Sequence, residues 1–277
     1  MIGKLFSDYA WYELWSPGYL IAIAIIVYLY LKKIVIPSKD INRNQIRYFF
    51  TAIALLFLMK GTPFAVLAAN FFSAHIFGLM IMLFTIPPLL ILGIPVASLR
   101  SFFWSYRKRH TMRLFTHPWV TAILFNAGLS VYLVPMIFNT VNKSSFLSLI
   151  TELVLFIIGC LMWWTIISPL AEISKLSEFA RVAYVFLTSL LLMPVGIFLL
   201  ISSEPQYIFH GNPHWNNALT PLADQQLGGG FLKGIQLTAY GIALFLLMSQ
   251  WSQKDKEAKE ENTRVVQGIV IQLPSKK

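Results

Sequence analysis

The sequence predicts an all-α fold: a polytopic membrane protein, a bundle of about seven transmembrane helices with the N-terminus outside and the C-terminus cytoplasmic. Three observations predict it. The 277-residue chain is 57% hydrophobic and only 12% charged, and its mean hydropathy is +0.65, a balance found in multi-spanning proteins rather than soluble domains. The apolar residues fall in runs of bilayer length. The basic residues collect in alternate connections between those runs. Membrane orientation therefore accounts for the net charge of +10, and no nucleic-acid partner is needed. A single cysteine, Cys160, excludes an intramolecular disulfide and reads as a small buried hydrophobe.

The elements follow in order. Phe6, Tyr9, Trp11, Tyr12 and Trp15 form an aromatic cluster of the kind that lies at a membrane interface. It lacks the basic start and small-residue cleavage site of a secretory signal. The first span is expected over about Pro17 to Leu31, stopped by Lys32 and Lys33, and the second over about Arg47 to Lys60. Gly61-Thr62-Pro63 turns the chain into a third, within the stretch Asn70 to Ser98. That stretch is almost wholly apolar, holds His75 as its one ionisable residue, and is interrupted by Pro87-Pro88. A proline lacks the backbone donor and clashes with the preceding turn, so a kink or an end of the span is expected there. Neighbouring helices must cover the freed carbonyls. The fourth span is about Trp119 to Val141, the fifth about Phe146 to Ser168, the sixth about Val182 to Ser202 and the seventh about Gly229 to Trp251. A polar connection, 203–228, precedes the last. Residues 1–251 thus make the transmembrane domain and residues 252–277 a charged cytoplasmic tail.

With seven spans, all but four of the 22 Lys and Arg fall on one side; the exceptions are Lys4, Lys60, Lys143 and Lys233. The positive-inside rule makes the rich side cytoplasmic. His75 and Glu152 then lie in the outer halves of their spans, and Asp224, Gln225 and Gln226 at the outer mouth of the seventh. His210 and His214 occupy the loop before it. Ionisable groups at membrane depth are costly and usually face partners or water. His75, Glu152 and Asp224 are therefore expected to frame one polar pocket. For Glu152 a partner in Lys143 or water is the plain alternative, and for His75 a neighbouring helix.

Other residues have plain roles to weigh. Met80 and Met82, with His75, are soft donors suited to Cu(I), although methionine is ordinary filler in apolar helices. Trp163-Trp164 reads first as an interfacial aromatic pair. His117-Pro118 reads as a helix start with proline in its first turn. The basic SYRKRH loop reads as a topology determinant that can also meet anionic lipid. Gly228-Gly229-Gly230 reads as a point of close packing or a flexible helix start.

Four strings, SAHIFGLMIMLFTIPPLLILGIP, THPWV, ITELVLFIIGCLMWW and PLADQQLGGG, occur in this order and span most of the chain from Ser73 to Lys233. Together they resemble the Bacillus-type cytochrome c oxidase assembly factor CtaG family. The resemblance implies an integral protein of the bacterial plasma membrane, needed to form active caa(3)-type oxidase and not itself an enzyme. Oxidase subunits and membrane lipid are the implied partners, and handling of copper, as Cu(I), is the implied metal role. Its motif residues here include His75, Pro87, Pro88, His117, Glu152, Trp163, Trp164, Asp224, Gln225, Gln226, Gly228 and Gly229. Where many members carry further histidines, this chain has Leu79, the turn Tyr132-Leu133-Val134-Pro135, and Leu153 after Glu152. The metal set is thereby reduced to His75 with Glu152, Asp224, Met80 and Met82. Two other classes compete: a small metal or solute transporter, which the proline break fits but the lack of an internal repeat does not, and a membrane enzyme using Glu152 and Asp224, for which no positioned nucleophile is present.

Overall fold

The computed structural model describes residues 9–38, 41–170, 172–173, 176–207, 219–261, 263–266 and 269–272, with side chains described as far as Lys256. It is a helical bundle. After a single turn, Trp11–Leu14, come α1 (Pro17–Tyr30), α2 (Arg43–Lys60), α3 (Pro63–Asn70), α4 (Phe72–Met80), α5 (Ile86–Leu92), α6 (Val96–Phe102) and α7 (Tyr106–Phe115). They are followed by α8 (Pro118–Tyr132), α9 (Pro135–Val141), α10 (Ser145–Ile167), α11 (Glu178–Leu191), α12 (Met193–Ile201) and α13 (Pro221–Glu261). Five stretches are long and apolar enough to cross a bilayer: Pro17–Val35, Phe72–Leu92, Ser145–Ile167, Glu178–Ile201 and Pro221–Lys256. The pairs α2–α3 and α7–α8, bent by 53° and 55°, bring the number to seven if each is one span.

Local chemistry explains the boundaries. Asn42 caps α2 by accepting from the Asn44 amide at 3.1 Å, while Gln45 reaches back to the Asn42 amide at 3.0 Å. Thr62 caps α3 and Pro63 occupies its first position, where no donor is required. His117 is the N-cap of α8 and Pro118 its first residue, as the sequence predicts. Lys32 and Lys33 do not end the first span; they sit in a π turn, Leu31–Val35, that prolongs it. The last helix starts at Pro221 rather than near Gly229, so Asp224, Gln225 and Gln226 belong to its first turns and not to a loop. It then runs unbroken past Trp251 to Glu261, and an antiparallel strand pair, Thr263–Val266 with Ile269–Gln272, follows.

Of the kink or end expected at Pro87-Pro88, the end is not found. The chain stays helical through both prolines to Leu92. A π turn, Ile81–Thr85, lies immediately before them. Pro87 cannot donate to the Leu83 carbonyl four residues back. The Trp163 indole fills that role, donating to the Leu83 carbonyl at 3.0 Å. Gly159, one turn earlier on α10, packs beside the same residue, where a Cβ would make ordinary contact with Leu83. Trp163 and Trp164 are both buried, so they are core and not an interfacial belt. Trp164 packs edge-on against Phe103.

The Phe72–Leu92 segment is the centre of the bundle, as its composition suggests, with 61% of its span buried against 6% for Pro17–Val35. Phe84 packs edge-on to Phe125 of α8 and Tyr240 of α13. Hydroxyls join the helices on its far side, where Thr121 lies 2.8 Å from the Tyr184 hydroxyl and 3.3 Å from that of Thr165. The peripheral α1 is held near one end: Tyr30 stacks on Phe49 at 3.5 Å and donates to the Gly93 carbonyl at 2.8 Å.

Candidate functional site

The helix directions bring the end of α2, the starts of α4, α10 and α13, and the end of α8 to one end of the bundle. A cavity of about 340 Å³ opens there, and its lining includes Tyr19, Met59, Lys60, His75, Asn142 and Glu152. Each charged group arrives by simple helix geometry. Lys60 is the last residue of α2, and Glu152 is two turns into α10. The Lys60 ammonium donates to the Glu152 carboxylate, joining positions 92 residues apart. Glu152 is buried, and the Lys60 side chain keeps 21% of its exposure. Lys143, the alternative partner offered by the sequence, lines the same cavity without pairing with Glu152.

His75 faces this cavity from the first turn of α4 and is buried. Its Nε2 shares a 2.8 Å hydrogen bond with the Tyr132 hydroxyl. Asn142 donates to that hydroxyl at 3.4 Å, and Ser148 donates to the Asn142 carbonyl oxygen at 3.2 Å. Tyr132 can thus accept from Asn142 and donate to a neutral imidazole. Phe138 closes one side of the ring at 5.3 Å. His75 and Glu152 therefore line one cavity, without Asp224, and neither is the other's bonded partner.

Asp224 is used elsewhere. The N-cap of α4 is Phe71, whose side chain accepts nothing. Asp224 of α13 supplies the cap from far along the chain: its carboxylate accepts from the Phe72 amide at 2.7 Å, the Ser73 amide at 3.0 Å and the Ser73 hydroxyl. A carboxylate at a helix start also meets the positive end of the helix dipole. The neighbours complete a clamp. Gln225 accepts from the Gln206 amide at 2.8 Å and Gln226 donates to the Ser202 carbonyl at 3.3 Å. A Cβ at Gly228 would stand 2.7 Å from the Phe72 ring, and one at Gly229 2.8 Å from Leu199, so both glycines are contact points. Gly230 has nothing within 4 Å. In the loop before α13 Tyr207 donates to the Leu133 carbonyl, and burial pushes its phenol above the ordinary range and keeps it a donor.

Of the five residues singled out as metal donors, His75 and Glu152 share the cavity, Asp224 caps α4, and Met80 and Met82 are buried in the apolar core. Met59 is the thioether at the cavity wall. Among the described residues no three His, Cys, Asp or Glu side chains group closely enough to hold a metal ion. The donors present do not fit a resident copper site: one imidazole is already bonded to a tyrosine, and both carboxylates are held by donors. His210 and His214 lie outside the described residues. Sequence reasoning missed Lys60 and Tyr132 as members of the site. Lys60 carried a signal as one of the four cations on the sparse side, at the end of an apolar helix. Tyr132 carried one as the first residue of the Tyr132-Leu133-Val134-Pro135 string, which departs from the resembled pattern.

A family model described as cytochrome c oxidase caa3 assembly factor (Caa3_CtaG) matches residues 24–254, which include every residue of the cavity and the clamp except Tyr19. No curated protein and no solved structure matches the chain.

Proposed function

The chain belongs to the cytochrome c oxidase caa3 assembly factor family, and we propose that it acts there as a non-enzymatic holder of an unfinished oxidase subunit in the bacterial plasma membrane. The observation that carries this reading is the Lys60–Glu152 pair, set in an open cavity with His75 at the end of a transmembrane bundle. Charged groups at that depth are costly without a role or a partner. A holder gains from such a pair, because each member can exchange its contact for a polar group of the incoming subunit. We read this end of the bundle as the extracytoplasmic one, from the charge split of the sequence.

Copper enters this proposal only as cargo. His75 and the Met59 thioether are the soft donors at the cavity wall, a two-donor set suited to brief Cu(I) contact rather than storage. Metal content of the reduced, purified protein, compared with His75→Ala, tests it. Equal copper in the two proteins removes His75 as a copper contact.

The assembly role is tested by replacing the chromosomal copy with Glu152→Gln or His75→Ala. Expected are a several-fold fall in caa(3)-type oxidase activity, an unchanged level of the factor in the membrane, and weaker co-isolation of oxidase subunits. Normal oxidase activity in both strains would falsify the cavity as the working site.

A further inference from the structure

We propose that the opposite end of the bundle carries a binding site for an anionic glycerophospholipid, with the phosphate on Arg113 and His117 and an acyl chain between α8 and α11. Charge, position and shape each point to that ligand.

The charge is concentrated and unbalanced. Helix α7 carries Arg107, Lys108, Arg109 and Arg113 and no acidic residue. Glu172 and Glu178, in the connection before α11 and at its start, are already engaged: Glu172 with Arg100 at 3.2 Å and Glu178 with Lys254. Among the described residues none of the four α7 cations forms an ion pair. Lys108 lies 4.4 Å from the centre of the Phe102 ring, and Arg113 donates to the backbone oxygen of Glu172 at 2.9 Å. An anion from outside the chain would complete this end.

The position is that of a membrane surface. Phe102, Trp104, Tyr106, Leu114, Phe115 and Trp119 are all exposed around α7. Such side chains settle where headgroups meet acyl chains, and the cations among them reach the headgroups. The 55° bend between α7 and α8 turns α7 away from the direction of the span. A basic, amphipathic helix in that attitude lies in the interface.

The shape selects a lipid over a free anion. A cleft of about 770 Å³ begins at Arg113, Thr116 and His117 and continues along Ala180, Ala183 and Leu187 of α11. The end at Arg113 and His117 is polar and cationic, and the stretch along α11, where Ala183 is exposed, is apolar, which matches a phosphodiester joined to a hydrocarbon chain lying along the helix. Inorganic phosphate would use only the cationic end.

The experiment compares purified full-length protein in nanodiscs of phosphatidylglycerol and of phosphatidylcholine. Phosphatidylglycerol should raise the thermal midpoint by on the order of 3 °C or more, as a ligand of the native state does. Arg113→Gln with His117→Gln should lose most of that rise while keeping the phosphatidylcholine midpoint. Ala183→Trp, which fills the apolar arm, should lose it too. Lys256→Gln, an exposed cation outside the cleft, should keep it and so exclude a general charge effect. Equal midpoints in the two lipids overturn the proposal, as does a rise retained by both cleft variants. Inorganic phosphate that stabilises the phosphatidylcholine sample equally would assign the site to free anions and also overturn it. None of these readouts involves oxidase activity, so the result is independent of the function of the cavity.

Discussion

Asp224 and Glu152 are both buried carboxylates at the same end of the bundle, yet they are held in opposite ways. Asp224 accepts from two backbone amides and a hydroxyl of one helix start. Those donors are fixed by α4, and Asp224 is not part of the cavity wall. Glu152 accepts from one long, partly exposed side chain across an open cavity. A carboxylate bound by fixed dipoles is a structural joint. One bound by a mobile ammonium can change partner. The difference teaches that burial and charge do not by themselves mark a working site; what matters is whether the partner can let go.

The comparison breaks first at Asp224. Alanine there leaves the Phe72 and Ser73 amides without an acceptor at the start of the central helix. The expected cost is about 3 kcal/mol, from a lost cap and lost charge-assisted bonds. Membrane levels of the Asp224→Ala factor should collapse, with oxidase activity falling only in proportion. The milder change Asp224→Asn keeps an acceptor and should recover part of the level. A normal level of Asp224→Ala with lost oxidase would move Asp224 into the same class as Glu152. Next in size is Gly228→Ala, where the new Cβ meets the Phe72 ring. Overpacking of that kind costs about 1–3 kcal/mol, read as a lower unfolding temperature in detergent. Unchanged stability would mean that the clamp is looser than its contacts indicate.

Trp163→Phe tests the core against both. It removes the indole donor to the Leu83 carbonyl that Pro87 leaves without its helical partner. The expected loss is about 1–2 kcal/mol, the cost of one buried acceptor left unmade. Full stability would show that the carbonyl finds another donor.

Much of this arrangement was legible from residues alone. Long apolar runs predicted the helical bundle, because bilayer thickness imposes a length that few other folds repeat, and five to seven candidate spans agree with it. The need to cover Pro87-Pro88 was legible from backbone chemistry. That Trp163 does so was not, because a tryptophan near a helix end reads equally as interface or core until the neighbouring helix is known. The Asp224 cap escaped for a related reason. Capping is normally supplied within a few residues, and Phe71 gives no hint that its acceptor comes from α13. The pairing of Glu152 with Lys60 rather than Lys143 depends on the bend between α2 and α3, which the sequence marks as Gly61-Thr62-Pro63 without fixing its direction. Sequence thus places ionisable groups at the right depth, while partner choice is set by helix rotation and bend.

The smallest stability effect and the sharpest distinction are expected at Lys60 and Glu152. Removing one partner of a fully buried pair strands a charge and is strongly destabilising. Here the Lys60 side chain is 21% exposed and the pair borders an open cavity. Water can therefore solvate whichever partner remains, and Glu152→Gln should cost under about 1 kcal/mol, nearer the exposed limit. The double exchange Lys60→Glu with Glu152→Lys then separates the roles. It restores an ion pair of the same kind but reverses which wall carries the negative charge. A pair that only fastens α2 to α10 is satisfied by either polarity, so the exchanged protein should support normal oxidase activity where each single reversal does not. A pair that presents defined charges to an incoming subunit is not satisfied by the reversed field. The exchanged protein should then be as abundant as wild type yet fail to mature the oxidase. We expect the second outcome; recovery of oxidase activity by the exchange would place Glu152 beside Asp224 as a structural joint.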